Sequence, residues 1–164
     1  MTAHFTGKNY VLFSKPDLVT QRLKGYYPFN YSMVEIIYPT IEEIQYNNTI
    51  AIEMFRRNKH DQAKIISVSF IQKVIEAVKV VPGDLYDKAA LLLLELTRIH
   101  AFESGNKRTA FLTTKKFVIT NGERFKILDT ESNVKIMIGI RENYYIQKEI
   151  KEWIKYGKIK AFKR

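Results

Sequence analysis

The chain has 164 residues, no cysteine and a formal net charge of +10; 46% of its residues are hydrophobic and 13% aromatic. That is the length of one domain with an added arm, and enough apolar side chain for a core rather than a disordered tail. The missing cysteines exclude a disulfide scaffold and a thiolate zinc site and fit a reducing compartment. There is no signal pattern at the start and no apolar run near the ~20 residues of a membrane helix, so a cytoplasmic protein with no membrane partner is expected.

Residues 1–36 are aromatic and irregular, broken by KPD and YYPFNY, and carry no firm assignment. YPTIEEI then starts a helix: Thr40 is a candidate N-cap, Glu43 falls where a capping box needs it, and Ile41 and Ile44 open an apolar face running to about Arg57. RRNKHDQAK reads as a polar loop. SFIQKVIEAV starts a second helix, with Ser69 as N-cap and Gln72 three residues on, and VVPGD ends it. Asp84 caps a third helix, where Leu85, Ala89, Leu92, Leu93, Leu96 and Ile99 keep helical spacing. After a polar loop, residues 107–120 form a fourth helix, stopped by Asn121 and Gly122. ERFKIL is extended or a short strand, and helices near 132–141 and 145–156 complete the chain. The fold class is therefore all-α with at most a small hairpin, and 107–120 is expected at its centre.

The end of the chain is basic. KEWIKYGKIKAFKR holds six Lys or Arg against one Glu, half of the total surplus. Such a balance suits nucleic acid, a nucleotide or an acidic protein. On charge alone, a solvated surface ending in a basic tail is the preferred reading, with Trp153, Tyr156 and Phe162 docking the last helix.

HAFESGNKRTA, residues 100–110, places the most polar loop between the two most core-like helices. A helix N-terminus offers unpaired N–H groups and a positive dipole end, and so favours anions. Gly105 lets the backbone approach a ligand closely. Lys107 and Arg108 stand in the first turn, where a cation is electrostatically disfavoured unless an anion joins it. Arg adds a planar fork suited to phosphate oxygens. His100 precedes this array by a few residues. Each residue alone is more often surface decoration. Together they suit phosphoryl or nucleotidyl transfer: a base, an anion nest and charge clamps.

The stretch resembles the signature of the Fic/Doc (Fido) family, H-x-F-x-[DE]-[GA]-N-[GK]-R, and Lys107, Arg108, Thr109 and Ala110 resemble its Doc, or death-on-curing, branch. The likeness extends over residues 37–156, leaving 1–36 as an extension and 157–164 as a basic tail. It implies a compact Fido-type helical bundle around a central helix, with a short β-hairpin flap at most. It also implies a toxin-type transferase moving a phosphoryl group from ATP or another nucleoside triphosphate to a Ser, Thr or Tyr hydroxyl of a target protein. The alternatives are adenylyl transfer on the same fold and a catalytically impaired binding module.

The resemblance gives His100 the role of general base and Phe102 that of core anchor. Gly105 and Asn106 would form the anion nest, and Lys107 and Arg108 would bind phosphate. KVVPGD, with Lys79, Val80 and Val81, would be the flap that pairs with the target. Magnesium is expected too, but Ser104 stands where the family carries Asp or Glu, and the acid, Glu103, comes one residue earlier. Either Ser104 or Glu103 is the candidate metal ligand; a hydroxyl ligates magnesium without the charge it prefers. An inhibitory Ser/Thr-x-x-x-Glu-Gly/Asn helix has no match: Glu142 follows Ile138 at the key spacing, and Glu53 is followed by Met54. The resemblance therefore implies a separate antitoxin as partner, and nucleic acid is not the expected one.

Overall fold

A computed structural model describes residues 35–54, 61–128, 130 and 132–163. The chain divides into two units, 1–36 and 37–164; of the first, only Glu35 and Ile36 are described, so the expected N-terminal extension lies outside the described residues. The second unit contains six α-helices among the described residues: α1 Ile41–Met54, α2 Val68–Val80, α3 Leu85–Arg98, α4 Asn106–Thr120, α5 Ser132–Arg141 and α6 Gln147–Tyr156. The all-α expectation holds. The only strand-like pairing among the described residues is a single antiparallel bridge between Ile65 and Phe102.

The helix starts follow local chemistry. At α1 the Thr40 hydroxyl accepts from the Glu43 N–H at 3.1 Å, and the Glu43 carboxylate accepts from the Thr40 N–H at 2.9 Å, the reciprocal capping read from YPTIEEI. The expected run of α1 to Arg57 ends outside the described residues. At α2 the cap is Ser67, whose hydroxyl accepts from the Phe70 N–H at 3.3 Å, and not Ser69. The helix starts two residues earlier because its buried face is Ile71, Val74, Ile75 and Val78, and the exposed Val68 still fits that register.

The central helix is α3 rather than α4. It packs against α2, α4, α5 and α6, whereas α4 packs chiefly on α3 and α1. The reason is composition. α3 buries Leu85, Tyr86, Ala89, Ala90, Leu92, Leu93, Leu94 and Leu96 around most of its circumference, while α4 exposes Lys115 and Lys116 on one side. One cation is buried with α3. The Lys88 ammonium, on a residue 2% exposed, donates to the carbonyls of Val78, Lys79 and Val81 at 3.2, 3.0 and 2.8 Å. It thereby satisfies the open C-terminal carbonyls of α2.

The C-terminal segment is docked rather than loose. Tyr145 donates to the Lys160 carbonyl at 2.8 Å, the Lys160 ammonium meets Glu149 at 2.8 Å, and Phe162 packs edge-on against Tyr144 at 5.1 Å. Gly139 makes room: a Cβ there would lie 2.6 Å from Tyr145 and 2.8 Å from Phe162. Trp153 is buried, while Tyr156 stays exposed. No helix among the described residues is long and apolar enough to cross a membrane.

Candidate functional site

α3 ends at Arg98 and α4 begins at Asn106, so residues 99–105 form a loop between two helices packed against each other. Phe102 anchors its middle and is 3% exposed. The Asn106 side chain closes it: Oδ1 accepts from the Phe102 N–H at 3.0 Å, and Nδ2 donates to the Phe102 carbonyl at 2.7 Å. Asn106 thus clips the loop with its amide side chain, and its contribution to an anion nest is its backbone N–H. His100 is exposed at the start of the loop.

Gly105 is the N-cap of α4, with φ +81° and no side-chain cap. A side chain here would be strained by the backbone and crowded as well, since a Cβ would lie 2.9 Å from the Ile52 side chain and 3.1 Å from Asn48 Nδ2. The first backbone bond of α4 runs from the Thr109 N–H to the Gly105 carbonyl at 2.9 Å. The N–H groups of Gly105 and Asn106 have no partner among the described residues, leaving donors for an anion.

Arg108 is not a free clamp. Its guanidinium donates to the Ala51 carbonyl at the end of α1 at 3.3 Å and to Asp61 at 3.2 Å, with side chains only 25% and 13% exposed. Lys107 is half-buried in the same turn. A second ion pair joins Lys64 to Glu103 at 3.2 Å. The backbones meet here too: Glu103 N–H donates to the Lys64 carbonyl at 2.9 Å and Ile66 N–H to the Ala101 carbonyl at 2.8 Å. Residues 61–67 are therefore clasped to the loop by two ion pairs of opposite sense and by the bridge at Ile65.

The expected flap lies apart from this clasp. Lys79, Val80 and Val81 lie at the C-terminal end of α2, whose first residues touch the loop through Ser67. Thirteen helical residues at ~1.5 Å each separate the two ends by about 20 Å. The carbonyls of Lys79 and Val81 are also taken by Lys88. The segment that pairs with the loop is 64–67.

Among the described residues, the donor set does not suit a magnesium ion held by side chains alone. Glu103 is engaged by Lys64, Ser104 is neutral, and no three His, Cys, Asp or Glu side chains come together among the described residues. Ser104 turns its carbonyl inward to Asn48 Nδ2, at 2.9 Å.

The model of the Fic/DOC family matches residues 30–118, more than half of the chain. The chain belongs to the Fic/DOC family. Its matched segment ends inside α4, so it covers the loop, the clasp and the helices α1 to α3. Among curated proteins, no relative matches. Members of the family act on protein targets, transferring part of a nucleotide.

Sequence reasoning missed Asp61, Lys64 and Asn48. The first two lie in a stretch read as a plain polar loop. The third carried a signal: two adjacent asparagines, Asn47 and Asn48, inside an otherwise good helix. Asn is a poor helix former because its side chain competes for backbone groups, so a pair of them points to a polar seam. Both are buried, against Thr109 and Thr113 of α4.

Proposed function

We propose that this chain is a Doc-like transferase that moves the γ-phosphoryl group of ATP or another nucleoside triphosphate to a Ser, Thr or Tyr hydroxyl of a protein. The observation that carries the reading is the N-terminus of α4. It has no side-chain cap, leaves the N–H groups of Gly105 and Asn106 without a partner among the described residues, and adds Lys107 and Arg108 in the first turn. Lys107 stands where the Fic branch has Gly, so its side chain fills space that a Gly leaves to the nucleotide, and this supports phosphoryl over adenylyl transfer.

In the proposed reaction the target oxygen attacks the γ-phosphorus. Its proton passes to the exposed His100 imidazole. The bond from the γ-phosphorus to the bridging oxygen breaks, and the nucleoside diphosphate leaves with the electron pair. The open N-terminus and Lys107 stabilise its charge. Arg108 joins them by exchanging Asp61 for a phosphate oxygen. The target segment adds to the outer edge of residues 64–67, where Ile65 and Ile66 are exposed. Members of the family use a nucleoside triphosphate with magnesium; among the described residues no carboxylate cluster would supply the ion's ligands. A separate antitoxin would act as the inhibitor.

ATP labelled at the γ or the α phosphate, incubated with the protein and a lysate of cells lacking it, tests the proposal. Transfer of the γ label alone supports phosphorylation. Transfer of the α label replaces it with adenylylation. No transfer of either, with ATP still bound, leaves a binding module, the reading that Ser104 and the Lys64–Glu103 pair favour.

A further inference from the structure

The loop is shaped from behind by one side chain of α1. Asn48 is 1% exposed. Its Nδ2 group donates both protons: one to the Ser104 carbonyl at 2.9 Å and one to the Thr109 hydroxyl at 2.9 Å. Thr109 in turn donates to the Gly105 carbonyl at 3.0 Å. The assignment of the amide is settled by chemistry, because Ser104 O only accepts, and Oδ1 in that place would set lone pair against lone pair. Asn48 Oδ1 has no partner among the described residues. A buried amide with one end doubly bonded and the other left bare is an expensive way to fill space.

We propose that Asn48 is a positioning residue that turns the N–H groups of Gly105 and Asn106 outward to receive phosphate oxygens. The argument is planar geometry. In a trans peptide the C=O and N–H point in opposite directions. Asn48 draws the Ser104 carbonyl inward, toward α1, so the Gly105 N–H of the same peptide faces away from α1. Through Thr109 the Gly105 carbonyl is drawn along α4, so the Asn106 N–H faces out of the helix end. Two successive N–H groups facing one way form an anion-binding concavity. The absence of a side chain at Gly105 is what admits the amide, since a Cβ would sit 3.1 Å from Nδ2.

This rests on the proposed function for the identity of the anion, but the peptide orientation can be read without it. The probe is inorganic pyrophosphate without metal, followed at the Gly105 amide by nitrogen-15 NMR and hydrogen exchange. In the wild-type protein the amide should exchange freely and shift downfield as pyrophosphate is added. Asn48→Asp replaces a donor by an acceptor: at neutral pH the carboxylate repels Ser104 O and draws the Gly105 N–H inward. Exchange at Gly105 should slow, and pyrophosphate affinity should fall by about tenfold or more, the worth of a hydrogen bond to an anion. Lowering the pH should restore part of both, because the protonated acid donates again. A merely structural asparagine would not produce that pH dependence.

Asn48→Leu, close in volume, covers the case in which Asn48→Asp unfolds the domain. It should fold and lose affinity without any pH recovery. A protected Gly105 amide in the wild-type protein, or variants that bind pyrophosphate as tightly as wild type, overturns the proposal and leaves the transferase reading intact. No binding of pyrophosphate or ATP by any form overturns both together.

Discussion

Two helices that pack against each other begin in opposite ways. α3 starts on Asp84, whose carboxylate accepts from the Asp87 N–H at 3.0 Å, while Asp87 accepts from the Asp84 N–H at 2.8 Å. Lys151 then bridges both acids, at 3.1 and 2.8 Å. α4 starts on Gly105 with no side-chain cap and with Lys107 and Arg108 in its first turn. The first N-terminus meets its own dipole with its own carboxylates, and the second leaves that to something else. An end built only for stability looks like α3. The loop before α4 is held instead by Asn48, by the Asn106 amide and by the clasp.

The largest expected effect lies in the chemistry beside the open end. His100→Ala should lower transfer by about 10²–10⁴-fold, the usual worth of a general base, while nucleotide binding stays near wild type. Single-turnover transfer of labelled phosphate checks it, and retention of rate within about tenfold would remove His100 from the reaction. No equivalent change at the α3 end should touch transfer beyond its effect on folding.

Arg108 sharpens the contrast next. As a cation at the wrong end of a helix, its removal would be expected to leave stability unchanged or slightly raised. The structure reverses that expectation, because Asp61 is 13% exposed and Arg108 neutralises it. Arg108→Ala should therefore cost about 1–3 kcal/mol, the penalty of taking one hydrogen-bonded ion-pair partner from a largely buried charge. Arg108→Ala combined with Asp61→Asn should recover much of that loss. Denaturant unfolding of the three variants decides it; additive losses would mean that the pair is not coupled in solution.

That reversal shows where the sequence was legible. The capping signals at Thr40 and Asp84, the apolar spacing of α3 and the glycine before α4 each depend on neighbours within a few residues, and all were readable. The centre expected at 107–120 falls on α3 instead: the leucine-rich α3, not the threonine- and lysine-bearing α4, has enough apolar circumference to be surrounded. The clasp at 61–67 depends on pairings about 40 to 50 residues apart in the chain, Lys64 with Glu103 and Asp61 with Arg108, which periodicity does not encode. Nor does anything local announce that Lys88 takes the carbonyls of Lys79 and Val81, in the segment expected to be the flap.

The α3 end should show its self-sufficiency as a pH dependence. Burial alone would push the Asp84 carboxyl up, but the Asp87 N–H and the Lys151 ammonium outweigh it, and Asp84 is held below its ordinary value of 3.8. A lowered folded-state value means that Asp84 contributes stability above pH 3.8, lost as the pH falls through the lower folded value. Asp84→Ala should cost about 0.5–2 kcal/mol near neutral pH through loss of the cap. Asp84→Asn should keep most of the cap, since Asn caps about as well, and remove only this site's share of the acid dependence below pH 4, a round figure just above 3.8. Denaturant melts between about pH 2 and 7 read both. An acid limb identical in wild type and Asp84→Asn would show that the charge adds nothing beyond the cap.

The smallest expected effect supplies the open end with the charge that the α3 end already has. Ser104 precedes the N-cap of α4 and takes the place of the family's acid. Ser104→Asp puts a carboxylate beside the unpartnered N–H groups, which should stabilise the protein by about 0.3–1 kcal/mol, as an anion at a helix N-terminus does. The same carboxylate should compete with phosphate: affinity for metal-free ATP should fall several-fold, and magnesium should restore or raise it, because a charged oxygen now meets the ion where a hydroxyl stood. Thermal melts with and without magnesium, beside ATP titrations under both conditions, separate the two effects. A stability gain with unchanged metal-free affinity would mean that phosphate does not use this end of α4. Raised stability with lowered metal-free affinity would show one helix end exchanging a ligand's charge for its own, the arrangement that Asp84 gives to α3.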